Sequence, residues 1–556
     1  MVTNLSIPVI RIKVFCMYKI KSEPLKIALI SLHGDTLWGR SLHYYNPLSV
    51  TTLSGYLKHK RQNIEIKIFD TILHSCDEIG RELTEYSPHI TGISMKTDSL
   101  FELRSIMKKI PPSKILLGGI APTVIYSDLL NEFPGCYIIR GEGEYPFLKF
   151  IEYTEGMLPV RDVPNLVYKK DMIVENALYN FDLTCEEFQP SDDFTAECIK
   201  RGGDFWLESS RGCRMNCSFC SKTVARSGMI GHRRFPLRRT LERIREINKK
   251  FGIKKFRFAD EDFFNDDFNF IEDFCFGVEN LPFEFKFEID ATVRGIYSPE
   301  EEEDKKLKRR ALWETMKHAG LSHIFIGIES LSNSQLKRYR KGINVKNIEE
   351  AIVCLNIPYV AGFIPFDPFV TVEELKENFI NLKRTGIIKH INTPIKFMRV
   401  QRKTDMAEMV KEAGLITGLI DNGMCYKYRF QHSDVEKICA VITRKARIFN
   451  VLGPRIGYMI RPEGGYSEKL EKEILSYLSE KSYEFKNLEL DFLINLIENC
   501  DGSFEEIEEK FTENYIALYS DILKKSDMIG HRATGAKIKE VCKDFLREMN
   551  GVKSEK

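Results

Sequence analysis

The sequence predicts an α/β protein with two successive series of strands and helices and a helical carboxyl-terminal region. Short apolar runs that suit buried strands recur through residues 25–155 and again through residues 204–402, with helical patterns between them. From about residue 405 the strand signals give way to amphipathic helical patterns. Repeated β–α units of this length favour a parallel, doubly wound sheet.

Composition narrows the possible functions. The 556 residues suffice for roughly three domains. With 82 basic and 80 acidic residues, the net charge of +2 gives no field that would attract nucleic acid or a membrane. No apolar run approaches the ~20 residues of a membrane span, and the fourteen cysteines are mostly scattered singly, unlike a disulfide framework. We therefore predict a cytoplasmic protein with no nucleic-acid or membrane partner.

The strand signals divide the chain into five parts. Residues 1–24 form an extension, residues 156–203 a proline-containing connector with a small hairpin, and residues 403–556 a helical domain. In the amino-terminal domain, residues 25–155, the predicted strands are 26–31, 64–69, 90–95, 115–119 and 136–140. In the central domain, residues 204–402, they are 205–210, 255–260, 283–290, 324–327, 359–365 and 395–400.

Three cysteines on one short loop are the strongest chemical signal. Cys213, Cys217 and Cys220 have C-x3-C-x2-C spacing and follow Gly212, which ends a predicted strand. Three thiolates can hold three corners of an iron–sulfur cube, and since a cluster normally takes four cysteines, one iron would stay open. Zinc would need four ligands at characteristic spacings, and His232 suits neither usual pattern. Three buried core cysteines are the remaining alternative.

The run S-S-R-G-C-x3-C-x2-C at residues 209–220 resembles the cluster loop of radical S-adenosylmethionine (radical SAM) enzymes. The resemblance implies a partial (β/α)6 barrel and a 4Fe-4S cluster whose open iron chelates SAM. Reductive cleavage of SAM would give a 5′-deoxyadenosyl radical, with a flavodoxin- or ferredoxin-type protein as electron donor. It also implies that Phe219, the residue before the last cysteine, packs near the adenine.

Several charged residues at predicted strand ends are candidate SAM contacts, because polar groups at the carboxyl ends of barrel strands form the active site. Asp260 or Glu261 would face the amino group of SAM, Arg294 its carboxylate, and Glu288 the ribose hydroxyls. Glu329, in a G-I-E-S run typical of the family, would also lie near SAM. For each residue alone, a solvated surface charge is the alternative.

Glycines follow two strands of the amino-terminal domain, where doubly wound sheets bind ligands. By themselves Gly118, Gly119 and Thr123, and then Gly141, Glu142 and Gly143, are ordinary strand–helix turns. Before a radical SAM module, G-G-x-x-x-T and R-G-E-G-E resemble the turns of a Rossmann-like cobalamin-binding domain. The D-x-H-x-x-G motif of histidine-ligated cobalamin is missing, so His33 is predicted to be a surface residue and not a cobalt ligand.

The resemblance implies a cobalamin-dependent radical SAM C-methyltransferase. It would methylate an unactivated carbon of a natural-product or peptide substrate, with methylcobalamin as methyl donor and the 5′-deoxyadenosyl radical as hydrogen acceptor. A non-methylating radical SAM enzyme, which would cyclise, oxidise, epimerise or rearrange its substrate, is the first alternative. A non-catalytic iron–sulfur binding or sensing protein is the second.

Overall fold

The computed structural model describes residues 23–34, 44–184, 188–201, 203–221, 231–421, 423–445, 472–500, 502–525 and 543. The amino-terminal domain is a seven-stranded sheet with helices on both faces and the strand order β2-β1-β3-β4-β5-β6-β7. Its strands are β1 (Leu25–Leu32), β2 (Ile64–Asp70), β3 (Ile90–Met95), β4 (Lys114–Gly119), β5 (Tyr137–Ile139), β6 (Leu166–Lys169) and β7 (Ile173–Glu175). Nearly all of the predicted extension, residues 1–24, lies outside the described residues.

The first five strands are parallel, as predicted. Helices cover both faces: α1 (Leu48–Lys60), α2 (Cys76–Tyr86), α3 (Leu100–Met107), α4 (Ile120–Glu132) and α5 (Glu144–Thr154). The hairpin predicted for the connector pairs antiparallel with β5 and extends this sheet as β6 and β7. Leu166 and Val167 of that hairpin are fully buried, so it belongs to the amino-terminal core and not to a linker.

The central domain is a five-stranded parallel sheet, β14-β13-β12-β11-β8. The strands are β8 (Phe205–Leu207), β11 (Lys255–Phe258), β12 (Lys286–Thr292), β13 (Leu321–Glu329) and β14 (Tyr359–Phe363), and β9 (Ser210–Arg211) pairs separately with β10 (Arg233–Arg234). Apolar side chains on one face, such as Phe256, Phe287 and Ile324, pack in one core with the surrounding helices. The helices are α6 (Thr195–Lys200), α7 (Leu237–Phe251), α8 (Phe268–Glu279), α9 (Val293–Ile296), α10 (Glu303–His318), α11 (Asn333–Arg338), α12 (Val345–Leu355) and α13 (Val372–Thr385).

The sixth predicted strand is not a full strand of this sheet. Its residues make one isolated parallel bridge, between Phe366 and Phe397. Pro365 and Pro394 flank the bridge, and neither has an N–H group to continue a ladder. The chain then joins a separate three-stranded sheet made of β15 (Val400–Gln401), β17 (Cys425–Tyr428) and β16 (Ile416–Leu419).

The carboxyl-terminal region is largely helical, with α14 (Asp405–Glu412), α15 (Ser433–Arg444), α16 (Lys472–Glu498) and α17 (Glu505–Lys525). The sequence predicts helices over residues 435–449, 467–482 and 487–498, and α16 runs unbroken through the described part of the last two. It packs against α13 and a 3-10 turn at Ile387–His390. Residues 446–449 and 467–471 of the predicted helices lie outside the described residues. Within the described part of the chain, no helix has the length and apolarity needed to cross a membrane.

A buried carboxyl group joins the two long carboxyl-terminal helices to the central domain. Glu489 of α16 accepts hydrogen bonds from Tyr515 of α17 (2.8 Å) and Thr393 (3.0 Å). Burial raises its pKa from 4.5 to about 7. A carboxyl whose pKa is raised by folding stabilises the fold fully below pH 4.5, and this contribution is lost as the pH rises towards 7.

We therefore expect Glu489→Gln, which mimics the protonated carboxyl, to raise stability above pH 7 and to leave it unchanged near pH 4.5. The difference at pH 8 should be on the order of 3 kcal/mol, since one pKa unit is about 1.4 kcal/mol. Thermal unfolding midpoints of the two proteins at pH 5 and pH 8 measure it. Glu498→Gln, an exposed change on the same helix, is the control, and equal midpoints at pH 8 would contradict the expectation.

Candidate active site

The cysteine loop is shaped by its first residue. Gly212 has a φ of +92°, and a Cβ there would lie 2.6 Å from the carbonyl oxygen of Gly231, so only glycine fits. Its N–H donates to Oε2 of Glu261 at 2.7 Å, which places this predicted site residue against the loop. Glu261 therefore has a structural contact with the loop, and its predicted contact with SAM stays a prediction.

Ser218 fixes the middle of the loop. This buried residue donates its N–H to the carbonyl of Tyr339 (3.1 Å) and its hydroxyl to the carbonyl of Arg338 (2.9 Å), while its own carbonyl accepts the N–H of Met406 (2.8 Å). Asp367, which is fully buried, accepts from Arg338 (2.8 Å) and from the Tyr339 hydroxyl (3.1 Å). These contacts hold the middle of the loop against α11 and α14.

The three cysteines are half-buried on this loop. The N–H of Met215 lies 3.3 Å from Sγ of Cys213, a kind of hydrogen bond that tunes cluster sulfurs. Among the described residues no three His, Cys, Asp or Glu side chains are placed to hold one metal ion.

The head groups of Glu329 and Lys341 both lie near Gly327, beside the loop. The register of β13 against β14 shifts between Gly327 and Glu329, and Glu329 has a φ of +70°, which turns its carboxylate back along the strand end. A Cβ on Gly327 would lie 3.0 Å from Oε1 of Glu329 and 3.3 Å from Nζ of Lys341. Among the residues that the structure describes, neither head group has a hydrogen-bond or ion-pair partner.

Lys341 was not predicted from the sequence. It is only 5% exposed, which is rare for an unpaired lysine. Burial raises the pKa of the Cys217 thiol, and the positive charge of Lys341 opposes this effect, so the ammonium group lies close to the cluster loop. The only sequence signal was its place twelve residues after Glu329, before a glycine, which is too weak to select one lysine among many.

Asp260 lies under the loop and does not face a cavity. It is fully buried, and its carboxylate accepts the N–H of Ser209 (2.9 Å) and the hydroxyls of Ser209 and Ser210 (both 2.5 Å). Burial raises its pKa to about 6. These bonds brace the residues that lead into the cysteine loop and leave Asp260 poorly placed for the predicted contact with SAM.

Glu288 and Arg294 are also placed differently from the prediction. Glu288 is fully buried near the start of β12 and pairs with Lys255 (2.6 Å) and Arg257 (3.1 Å), away from the carboxyl end of the strand. Arg294 pairs with Glu300 (2.7 Å) and donates to the carbonyl of Gly342 (3.1 Å). The structure therefore brings Glu261, Glu329 and the cysteines together, whereas Glu288 is paired near the start of its strand and Arg294 is held by Glu300 and Gly342.

Phe219 packs into the protein beside the loop. Its ring meets Tyr339 edge-on at 5.3 Å, and it borders an apolar cluster that includes Met398 and Val400. This position leaves the predicted contact with adenine as a prediction.

The glycine turns of the amino-terminal domain line a cavity of about 320 Å³. The cavity lies at the carboxyl ends of β3, β4 and β5, where such sheets bind ligands. A Cβ on Gly118 would meet no atom within 4 Å, whereas Gly119 has a φ of +98° and a Cβ there would lie 2.5 Å from the carbonyl of Met95. Gly118 therefore leaves the cavity open, and Gly119 is required by the backbone. The lining also includes the predicted residues Gly141, Glu142 and Gly143.

Thr123 and Glu142 have structural partners. Thr123 donates to the carbonyl of Gly119 (2.8 Å) and accepts the N–H of Gly141 (2.9 Å), so it ties the two glycine turns together behind the cavity. Glu142 pairs with Arg233 of the central domain at 2.5 Å. A cofactor in the cavity could form hydrogen bonds with these two side chains only if they released their present partners.

The structure corrects the prediction for His33. Its side chain is 10% exposed and Nε2 lies 2.8 Å from Asp70. Nδ1 lies 2.9 Å from Nζ of Lys96. His33 is therefore held by both ring nitrogens and is not a surface residue, although it is not free to ligate a metal either.

Comparisons with known proteins agree with this architecture. Residues 207–379 match the radical SAM superfamily. The 4′-phospho-dehydrooxetanocin synthase of Priestia megaterium is 29% identical over 366 residues, which are 61% of this chain and 49% of that protein. The hopanoid C-3 methylase of Methylococcus capsulatus is 24% identical over 361 residues, 61% of each chain. The match thus covers about half of the first relative.

A solved structure extends the likeness to nearly the whole chain. OxsB, a cobalamin-dependent S-adenosylmethionine radical enzyme solved with aqua-cobalamin and S-adenosylmethionine bound, has a TM-score of 0.76 at 21% identity. The alignment covers 96% of this chain and 81% of OxsB, so it includes the carboxyl-terminal region for which the sequence showed no motif. The predicted α/β fold class is thus confirmed. The chain contains a radical SAM domain and has the fold of the cobalamin-dependent radical SAM enzymes.

Proposed function

We propose that this protein is a cobalamin-dependent radical SAM enzyme that methylates an unactivated carbon of a small molecule or peptide. The observation that carries the proposal is the position of the glycine-lined cavity. Glu208 and Arg211, which directly precede the cysteine loop, form part of the wall of that cavity. A group bound in the cavity would therefore lie beside the cluster loop. A methyl donor and a radical source must be close to each other to act on one substrate.

The residues present fit each cofactor. Cys213, Cys217 and Cys220 would hold three irons of a 4Fe-4S cluster, and Glu329 and Lys341 would face the ammonium and carboxylate of SAM. The largely apolar cavity suits the aromatic base of cobalamin. Bound there, the cluster with SAM would supply a hydrogen-abstracting radical and cobalamin a methyl group. The chain's own part is to orient these groups, exclude water and accept electrons from a flavodoxin- or ferredoxin-type partner.

The test uses anaerobically reconstituted protein with hydroxocobalamin, SAM and a strong reductant. We expect bound cobalamin, a SAM-sensitive cluster spectrum, and candidate substrates that gain the mass of one CH2. Methylation also consumes two SAM molecules per product, which gives S-adenosylhomocysteine and 5′-deoxyadenosine in equal amounts. Cys217→Ala should abolish both products. Protein that takes up no cobalamin would contradict the proposal.

A non-methylating reaction is the second candidate, because the first relative is named a synthase and not a methylase. In that case 5′-deoxyadenosine would form without S-adenosylhomocysteine, and the product would gain no carbon. Absence of SAM cleavage in fully reconstituted protein would favour a binding or sensing role.

A further inference from the structure

Five charged residues join the wall of the amino-terminal cavity to the start of the cysteine loop. Glu142 and Glu144 lie in and after the turn that follows β5, whereas Glu208, Arg211 and Arg233 belong to the central domain. Their side chains are between 5% and 18% exposed. We call this group the interdomain charge network.

Arg211 is the centre of the network. Its Nη2 lies 2.5 Å from Glu144 and 2.8 Å from Glu208, its Nε lies 3.0 Å from Glu208, and its Nη1 lies 3.5 Å from Glu142. One planar guanidinium thus contacts three carboxylates, which fixes its orientation as no single pair would. Arg233 pairs with Arg211 in the β9–β10 ladder and holds Glu142 through both oxygens, at 2.5 and 3.1 Å.

The network is connected to the cluster loop directly through the main chain. Arg211 is followed by Gly212 and Cys213, and the N–H of Gly212 is itself held by Glu261. On the other side, Gly143, between the two glutamates, forms part of the cavity wall, and Glu144 starts α5. A shift of this turn when the cavity is filled would move the partners of Arg211, and Arg211 would pass that shift to the first cysteine.

We propose that the interdomain charge network couples the two cofactor sites, so that cobalamin in the cavity strengthens SAM binding at the cluster loop. Arg211 acts as a positioning residue, because its guanidinium is held by Glu144 and Glu208 and its main chain leads into Gly212 and Cys213. The inference rests on the proposed function. Because coupling free energies are reciprocal, SAM strengthens cobalamin binding by the same factor. The consequence is that SAM binds and is cleaved chiefly in protein that already holds its methyl carrier.

The experiment measures SAM dissociation constants on cluster-reconstituted protein with and without saturating hydroxocobalamin, and hydroxocobalamin dissociation constants with and without SAM. We expect a factor of at least about 5 in both directions for the natural protein, within the range usual for coupled sites. Glu144→Gln keeps the size of the side chain and removes one of the carboxylate charges that Arg211 contacts, so the coupling factor should fall below about 2. Arg211→Lys should do the same while iron content is retained.

Arg402→Gln is the matched control. Arg402 also crosses to the amino-terminal domain, where it pairs with Asp128 of α4, but neither residue lines the cavity. The control should keep the full coupling factor. Independent binding of the two cofactors by the natural protein, or unchanged coupling in Glu144→Gln, would overturn the inference. Failure of the natural protein to bind hydroxocobalamin would overturn the proposed function as well, and the two failures are distinguished by the cobalamin titration alone.

Discussion

Replacing Lys341 with methionine is expected to weaken SAM binding by roughly 30- to 700-fold. This range corresponds to about 2–4 kcal/mol, the usual cost when one partner of a buried charge pair is removed. Lys341 is only 5% exposed, its ammonium group and the carboxylate of Glu329 both lie near Gly327, and its charge acts on Cys217. In the proposed complex it has one natural partner, the carboxylate of SAM, so the variant would bury that carboxylate unpaired.

The pairing itself can be measured with a modified ligand. Decarboxylated SAM lacks the group that Lys341 is proposed to bind, so the preference for SAM over this ligand should be clearly smaller in Lys341→Met than in the natural protein. Iron content after reconstitution reports separately on the cluster. Lys486→Met is the control, because Lys486 is also a buried lysine but binds the carbonyl of Lys389, in the 3-10 turn beside α16. A variant that prefers SAM by the same factor as the natural protein would show that Lys341 serves another partner.

Lys341 also shows where sequence reasoning ends. The cysteines were predictable because three ligands on one loop leave a spacing in the chain. Lys341 and Glu329 come together near Gly327 because a bulge turns the carboxylate back and two glycines, Gly327 and Gly362, leave room for it. That meeting depends on tertiary packing, and no local pattern encodes it.

The amino-terminal fold was predictable for a related reason. Buried parallel strands give continuous apolar runs, and each run can be recognised within a short stretch of the sequence. The hairpin β6–β7 was predicted to belong to the connector. Whether it pairs with the sheet depends on which edge strand has unpaired backbone groups, and the local sequence does not show this. The sixth barrel strand was predicted from an apolar run, although prolines restrict its pairing to one bridge.

Charged residues at predicted strand ends were the least reliable signal. A carboxylate in such a place can face a ligand, brace a loop or pair with the other domain, and the sequence is the same in each case. Glu329 has no ion-pair partner among the residues that the structure describes, whereas Glu142 is held by Arg233 and Glu288 by Lys255. Only the partners distinguish these roles, and they come from distant parts of the chain.

For Asp260, a role in bracing the cysteine loop and a direct contact with SAM predict opposite results for the same variant. If it braces the loop, Asp260→Asn should reduce the iron content of reconstituted protein by about half or more. Its carboxylate accepts three hydrogen bonds from Ser209 and Ser210, and an amide leaves at least one of these buried donors unpaired. Each such donor costs about 1–3 kcal/mol, and the cost falls on the residues that lead into the cysteine loop.

If Asp260 instead contacts SAM, the variant should take up its full iron content and bind SAM weakly. Asp262→Asn separates local bracing from general loss of stability. Asp262 is equally buried two residues later, and burial raises its pKa to about 6 as well, but it holds Thr292 (3.0 Å) at the end of β12. We expect Asp262→Asn to lower the thermal midpoint and retain the cluster, and Asp260→Asn to lose the cluster at a temperature where the fold is intact. Iron and sulfide analysis, measured alongside thermal unfolding, distinguishes the two roles of Asp260. Cluster loss precedes unfolding only if Asp260 braces the cysteine loop.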